Sequence, residues 1–502
     1  MFLSPIDERE VISVVNGCKS KTSTDCDDID FRLIKSVITS IVKPITHIFN
    51  LSFQTGTFPE KMKIAKVIPL FKSGSKNDFN NYRPISLLPQ LSKILEKLYS
   101  NILNPCQYGF REKMSTTHAL VKVVSEITNS LNKRKHSIGV FIDLQKAFDT
   151  VDHQLLCTKL EFYGIRGVAY QWIRSYLSNR TQYVSYEGHK SELLPIQCGV
   201  PQGSILGPLL FTIYVNDMCN VSKLLTFILF ADDTNIFHSH SKLPDLVREL
   251  NTELDKMYKW FCVNKLSLNI AKTNYILFGR YTHQQDIANI INNVTIQRVQ
   301  ATNFLGVLID ESLNWKNHIN MVKSKLSKVA SVIYKVSHCI DRSSMRTLYC
   351  SLFLPHLMYC CEIWGNTHVT NIQCIILIQK RVIRLIHGAN RWDHTNNLFY
   401  EYRILKFNDI VELKTILFMF DAYHNVLPYD LQQLFIKSIP LYSARRTHQF
   451  IRENVRINMR AMSIPVLGVK LWNSLNESLV TIMSKYTFKR HYTNILIGKY
   501  IM

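Results

Sequence analysis

The run H-S-I-G-V-F-I-D-L, residues 136–144, constrains this chain more than any other feature. It is short, almost wholly apolar and bounded by polar residues, which predicts a strand buried on both faces. It ends in an aspartate, Asp143. A carboxylate at the end of a buried strand is costly unless it is paired or bound to a metal ion. A second apolar stretch, L-L-T-F-I-L-F-A-D-D-T-N-I-F, reads as two strands around an acidic turn at Asp232 and Asp233, which is a hairpin pattern. The spacing allows both aspartate-bearing strands to lie side by side in one sheet.

Three carboxylates converging at a sheet edge make a site for two hard divalent cations. Mg²⁺ takes oxygen ligands and binds through a few carboxylates plus substrate phosphates, with Mn²⁺ a substitute. Two such ions can activate a 3′-hydroxyl and stabilise leaving pyrophosphate. Two plainer readings stand beside this one. An Asp-Asp pair is common turn chemistry, and an aspartate after an apolar strand is often a helix N-cap.

Charge narrows the partner. Sixty Lys and Arg against 38 Asp and Glu give a formal net charge of +22. Such an excess points to a polyanion, with nucleic acid ahead of an anionic membrane. A strongly basic chain around an acidic pocket fits a nucleic-acid polymerase. Hydrophobic residues make up 46% of the 502, which excludes a wholly disordered chain. The 12 cysteines form no C-x-x-C pair and have no His at zinc spacing, which argues against a disulfide scaffold or zinc ribbon. No apolar stretch approaches a membrane span, and the N-terminus lacks a signal-peptide pattern, so the expected location is intracellular, with nucleus and cytoplasm not distinguished.

Periodicity organises the chain into an α+β protein. Residues 1–65 read as a helical N-terminal extension. Residues 66–311 alternate strands and helices, with helical stretches over 115–134 and 158–179. From Trp315 the pattern turns helical. The next segment places Ile319, Val322, Leu326, Val329, Ile333 and Val336 on one face, and Lys323, Lys325, Lys328 and Lys335 mostly elsewhere. This gives a helical region over 312–390, and a C-terminal helical region over 391–502 after the interruption G-A-N-R-W-D-H-T-N-N.

The order of segments resembles the reverse transcriptase of non-LTR (LINE-type, jockey-like) retrotransposons. N-N-Y-R-P-I-S-L-L-P and Q-Y-G-F-R-E-K-M-S-T-T-H-A-L are similar to that family's first two motifs. V-F-I-D-L-Q-K-A-F-D-T-V-D-H resembles the motif with the first catalytic aspartate, G-V-P-Q-G-S-I-L-G-P-L-L the one after it, and F-A-D-D-T-N-I-F the motif with the catalytic pair. L-S-L-N-I-A-K-T-N-Y-I-L-F-G and F-L-G-V-L-I-D-E-S-L-N-W resemble the last palm motif and the primer grip.

The resemblance implies a right-hand polymerase fold: fingers, a palm with an antiparallel sheet, and a helical thumb. It implies RNA-directed DNA synthesis from deoxynucleotide triphosphates on an RNA template, primed by a DNA primer or a nicked target DNA. Asp143, Asp232 and Asp233 match the family's metal ligands, with the Leu144 carbonyl beside them. Phe148 matches the residue that excludes a ribose 2′-hydroxyl. Gln202 and Gly203 match the segment at the nascent base pair, where glycine permits close backbone approach. Lys72 and Arg83 match the cations that hold the triphosphate, although a solvated lysine suits Lys72 equally. Lys272 matches the lysine that protonates departing pyrophosphate. Phe304, Leu305 and Gly306 match the primer grip, and hairpin core is an equal reading for them. The lysines of 316–335 suit a thumb on the duplex backbone.

The chain also departs from the family. Only ten residues, Lys97 to Cys106, separate K-I-L-E from Q-Y-G-F, a shortened fingers segment. The family's N-terminal endonuclease domain is expected to be lacking, and no Cys/His knuckle stands near the C-terminus. Two further readings therefore accompany an active polymerase. One is a non-catalytic nucleic-acid-binding remnant, the other a structural or interaction protein that carries the motifs as relics.

Overall fold

A computed structural model describes residues 5–18, 24–25, 27–97, 106–111, 114–279, 290–291, 294–438 and 450–501. The expected strand over 136–142 is at its centre. In chain order, the strands are β1 (Ile64–Phe71), β2 (Tyr82–Leu87), β3 (His136–Ile142), β4 (Thr181–Tyr186), β5 (His189–Lys190), β6 (Leu194–Pro195), β7 (Thr226–Phe230) and β8 (Asp233–His240). They continue with β9 (Asn274–Phe278), β10 (Ile290–Ile291), β11 (Val294–Thr295), β12 (Gln297–Arg298), β13 (Ala301–Phe304) and β14 (Val307–Asp310).

Five strands form the central sheet in the order β12-β9-β3-β8-β7. β3 runs antiparallel to both neighbours, with Val140 opposite Ile236 on one side and Tyr275 on the other. Side chains alternate across a strand, and here the alternation divides the protein into two cores. Ile138, Val140, Ile236, Tyr275 and Leu277 face one core, whereas Phe141, Ile228, Phe237, Ile276 and Phe278 face the other. Burial on both faces is why β3 reads as a continuous apolar run.

The first core is covered by α1 (Glu8–Gly17), α2 (Phe31–Thr55), α5 (His153–Phe162), α6 (Val168–Leu177), α7 (Leu206–Tyr214) and α8 (Leu243–Val263). Between α2 and α5 in sequence lie α3 (Gln90–Lys97) and α4 (Thr116–Asn132). Each of α1 and α2 begins at an aspartate cap: Asp7 forms a capping box with Glu10, and Asp30 accepts from the Arg32 and Leu33 amides. The helical stretch read over 158–179 is two helices, because Y-G-I-R-G turns the chain between α5 and α6. Phe58, Trp172 and Tyr176 pack edge-on and stacked inside this core.

The second core joins α4 to the helices that follow the sheet. These are α9 (Lys316–Val336), α10 (Arg342–Leu348), α11 (Leu354–Met358), α12 (Cys361–Trp364), α13 (Val369–His387), α14 (Asn396–Glu401) and α15 (Phe407–Tyr423). A last helix spans Lys485–Gly498. On α9, Ile319, Val322, Leu326 and Ile333 are buried, while Lys323, Lys325, Lys328 and Lys335 are exposed, as the periodicity predicts. A smaller sheet, β2-β1-β4-β5 with β6 beside β4, stands apart from the central one; β1 and β2 form an antiparallel hairpin. Among the described residues no helix is long and apolar enough to cross a membrane, and eleven cysteines are free thiols.

His318, in the first turn of α9, is 2% exposed. Its Nδ1 accepts from the Leu308 amide at 3.2 Å, and its ring meets Trp364 edge-on at 5.1 Å. Burial, with a smaller contribution from Lys325, pushes its pKa down to about 4. The unfolded chain takes up this proton near the ordinary value of about 6.5, before the folded chain does. Stability from the neutral imidazole is therefore present above about pH 6.5 and lost as pH falls toward 4. Chemical denaturation at pH 7.5 and 5 should show this loss, of order 2 kcal/mol, and His318→Gln should flatten it. An unchanged pH slope in the variant would refute the assignment.

Candidate active site

The geometry begins with β-register. Ile142 is opposite Thr234 and Phe230 is opposite Asp233, so Ala231 and Asp232 form a two-residue turn at the end of the sheet where β3 also ends. Asp143, one residue beyond β3, thereby comes beside Asp232 and Asp233. The electrostatics report the same proximity. Desolvation, followed by the Asp232 and Asp143 carboxylates, pushes the Asp233 pKa up to about 6. The Asp233 side chain keeps contact with solvent, yet enough protein surrounds it for desolvation to lead.

Among the described residues no Lys or Arg pairs with any of the three aspartates. The concentrated negative charge is thus left for a ligand to neutralise. No three His, Cys, Asp or Glu side chains among the described residues form a ready-made metal cage.

Side chains from distant segments hold Asp143 and the backbone of the acidic turn. Asn269 donates from Nδ2 to Asp143 Oδ2 at 2.9 Å, and its amide donates to the Asp143 carbonyl at 2.9 Å. The Asp143 amide donates to Thr273 Oγ1 at 3.3 Å. Leu144 bridges Leu268, and among the described residues no backbone amide bonds to the Leu144 carbonyl. Lys272 lies in this same 269–273 turn, with an exposed side chain.

The acidic turn is held from the other side by Q-Y-G-F. Gln107 is 2% exposed, and its Oε1 accepts from the Ala231 amide at 3.0 Å and the Gly109 amide at 2.8 Å. The Tyr108 amide donates to the Leu229 carbonyl, and the Leu229 amide to the Cys106 carbonyl. A Cβ on Gly109 would stand 2.3 Å from the Ala231 nitrogen, so only glycine lets the strand pass the turn this closely.

The residues matched to the nucleotide form a second group. Phe148 stacks on Phe211 at 4.5 Å and lies edge-on to Phe110 at 6.3 Å. Gln202 Nε2 donates to Asp149 Oδ1 at 3.0 Å. Burial raises the Asp149 pKa, while Gln202, Lys146 and Lys72 act to lower it, so Lys72 comes within electrostatic range of this segment. Arg83 is opposite Leu70 in the β1–β2 hairpin, which sets Arg83 and Lys72 diagonally on one face. A Cβ on Gly203 would lie 2.2 Å from the Ser86 carbonyl oxygen, so the glycine lets this segment pass close to β2.

Phe304, Leu305 and Gly306 stand at the β13–β14 hairpin. Phe304 is buried against Phe141 at 6.2 Å, as a core residue would be. Leu305 and Gly306 form the turn, and the Leu305 carbonyl accepts from the Tyr359 hydroxyl at 2.6 Å. Residues 98–105, at the centre of the segment expected to be a shortened part of the fingers, lie outside the described residues. The sequence reading missed Gln107, Asp149, Asn269 and Tyr359. Gln107 and Asn269 stand inside motifs already singled out, but their partners are 124 and 126 positions away.

Residues 74–309, which hold this arrangement, match the family described as reverse transcriptase (RNA-dependent DNA polymerase). Residues 74–309 are therefore similar to a reverse transcriptase domain. It is 28% identical over 428 residues to the RNA-directed DNA polymerase from mobile element jockey of Drosophila melanogaster, a match covering 81% of this chain and 46% of that protein. It is 27% identical over 428 residues to the jockey protein of Drosophila funebris, covering 81% and 46%. It is also 27% identical over 416 residues to the probable RNA-directed DNA polymerase from transposon BS of Drosophila melanogaster, covering 76% and 45%. The chain spans about half the length of these curated relatives. Over most of its length the chain is thus similar to RNA-directed DNA polymerases of jockey-like mobile elements.

Removing the Gln107 amide frees the Ala231–Asp232 turn without touching a carboxylate. Gln107→Ala should lower RNA-templated primer extension at least about tenfold, as small misplacements at reacting groups do. Binding to a primed template should stay within about twofold. Gel-based extension and fluorescence anisotropy measure the two, and equal extension by variant and wild type would dismiss the positioning role.

Proposed function

We propose that this chain copies retrotransposon RNA into DNA, extending a DNA primer or nicked target end with deoxynucleotide triphosphates. The observation that carries the reading is the meeting of Asp143 with Asp232 and Asp233 at one end of the central sheet, inside the segment that matches the reverse transcriptase family. In this reading the central sheet is the palm, the β1–β2 hairpin belongs to the fingers, and α9 begins the thumb.

Asp143, Asp232, Asp233 and the Leu144 carbonyl would hold two Mg²⁺ ions. When bound, such ions supply the positive charge that activates a 3′-hydroxyl and stabilises departing pyrophosphate. The other roles belong to side chains. Asn269 and Thr273 orient Asp143, and Gln107 fixes the turn before Asp232. Phe148, braced by Phe211, would stand under the sugar and exclude a 2′-hydroxyl. Arg83 suits bidentate capture of phosphate, and Lys72 a point-charge contact. Lys272, on the turn that anchors Asp143, would give a proton to pyrophosphate. The β13–β14 turn would support the primer, and the exposed lysines of α9 would follow the duplex backbone.

Two outcomes test this reading. Wild type should extend a DNA primer on an RNA template in Mg²⁺, and Asp232→Ala/Asp233→Ala should abolish extension while keeping hybrid binding. A well-folded wild type that binds the hybrid without extending it would favour the non-catalytic remnant instead. Phe148→Val should raise ribonucleotide incorporation at least about tenfold, on the scale of a removed steric clash. Unchanged discrimination would end the sugar-gate role.

A further inference from the structure

A second polar site lies in the helical half of the protein. A cavity of about 920 Å³ opens between the first turn of α4, helices α10 to α12, α15 and the Lys485–Gly498 helix. None of its lining residues belongs to the aspartate site. One wall is apolar, with Leu354, Leu413 and Phe418. Beside this wall stand Glu362 and His118, each with one buried polar atom that has no hydrogen-bond partner among the described residues.

Glu362 is 4% exposed. Its Oε1 accepts from the Thr117 hydroxyl at 3.3 Å, and Lys414 comes no closer than 3.8 Å. Its Oε2 has no hydrogen-bond partner among the described residues. The Nδ1 of His118 is likewise buried without one, and the His118 ring meets Phe418 edge-on at 5.8 Å. Burial lowers the His118 pKa, which favours the neutral imidazole. A buried carboxylate oxygen without a donor is costly, and it calls for a ligand that brings N–H groups. At the cavity's rim, Arg346 and Lys489 are exposed and have no acidic partner among the described residues.

We propose that this cavity binds a guanine nucleotide, its base held against Glu362 and its phosphate at Arg346 and Lys489. The reasoning is the pattern of donors. Guanine presents two adjacent donors, the ring N1–H and the exocyclic amino group, to one carboxylate. Adenine and cytosine present an amino group beside an acceptor nitrogen, and uracil flanks its single N–H with two carbonyls. Each of these sets an acceptor against the carboxylate. Phe418 and the aliphatic wall suit a flat, largely apolar ring. The inference goes beyond the polymerase reading, because the site needs neither the aspartates nor their metal ions.

Cys350 supplies the measurement, since it lines the cavity and is an exposed free thiol; exposed Cys339, absent from the lining, is the internal control. The full chain in EDTA, which silences metal-dependent nucleotide binding, is alkylated with increasing GMP. GMP should slow modification of Cys350 several-fold and leave Cys339 unchanged, with AMP and UMP ineffective. Glu362→Gln should raise the GMP concentration for half-protection at least about tenfold, the scale of hydrogen bonds to a charged group. Arg346→Ala, a surface change, should raise it several-fold and serves if Glu362→Gln does not fold. The pentamers UUGUU and UUUUU separate the sources. Protection by UUGUU below the GMP concentration identifies a nucleic-acid strand, and stronger protection by GMP identifies free nucleotide. Asp232→Ala should retain protection, so loss of polymerase activity cannot imitate failure here. No protection by millimolar GMP, equal protection by UMP, or half-protection unchanged in both variants would overturn the proposal.

Discussion

β3 lies between β8 and β9 and is buried on both faces, and this one placement sets the rest of the structure. It brings Asp143 to the end of the sheet where the β7–β8 turn carries Asp232 and Asp233. It also forces each face of the sheet to be covered. The N-terminal helices with α5 to α8 cover one face, and α4 with the helices after the sheet covers the other. The carboxylates are therefore located by backbone register and two hydrophobic cores rather than by ion pairs. A rigid apolar support can hold like charges together, whereas a flexible one would let them separate.

Three negative charges gathered without a protein cation raise the energy of the free site. The Asp233 pKa near 6 is the local sign of that strain. Hydrogen bonds to Asp143 from Asn269, and to the turn amide from Gln107, orient the groups without neutralising them. The charge is kept for a ligand. Around this pocket the chain as a whole carries a formal +22, so its surface field favours anions.

Much of this was legible in the sequence, and the reason is periodicity. An apolar run bounded by polar residues can be read locally, so β3 and the β7–β8 hairpin were evident, as was the buried face of α9 at Ile319, Val322, Leu326 and Ile333. The three aspartates were legible because they interrupt such runs. The residues that hold them were not, because a glutamine or an asparagine has no pattern of its own. Gln107 becomes a turn anchor only when β7 lies beside it, and Asn269 only when its loop crosses the end of β3. Gly203 shows the same limit. A glycine signals close approach, but only the fold shows that the neighbour is Ser86. Likewise Y-G-I-R-G reads as part of one helix until α5 and α6 turn against different neighbours.

The interleaving of the central sheet also orders its birth. β3 is complete at Ile142, yet its partners β8 and β9 begin at Asp233 and Asn274. At about 5–20 residues per second on the ribosome, this strand, buried on both faces in the fold, waits roughly five to twenty seconds for its first neighbour. During that interval both edges of β3 lack their native partners and its faces have only part of their cover, from α1, α2 and α4, and the long-range pairing that ends the wait is itself slow to form. The helices α5, α6 and α7 emerge in between and pack on the side that β3 will share. In a nascent chain of this design, the strand that leads to Asp143 is held open to wrong partners until β8 and β9 follow it.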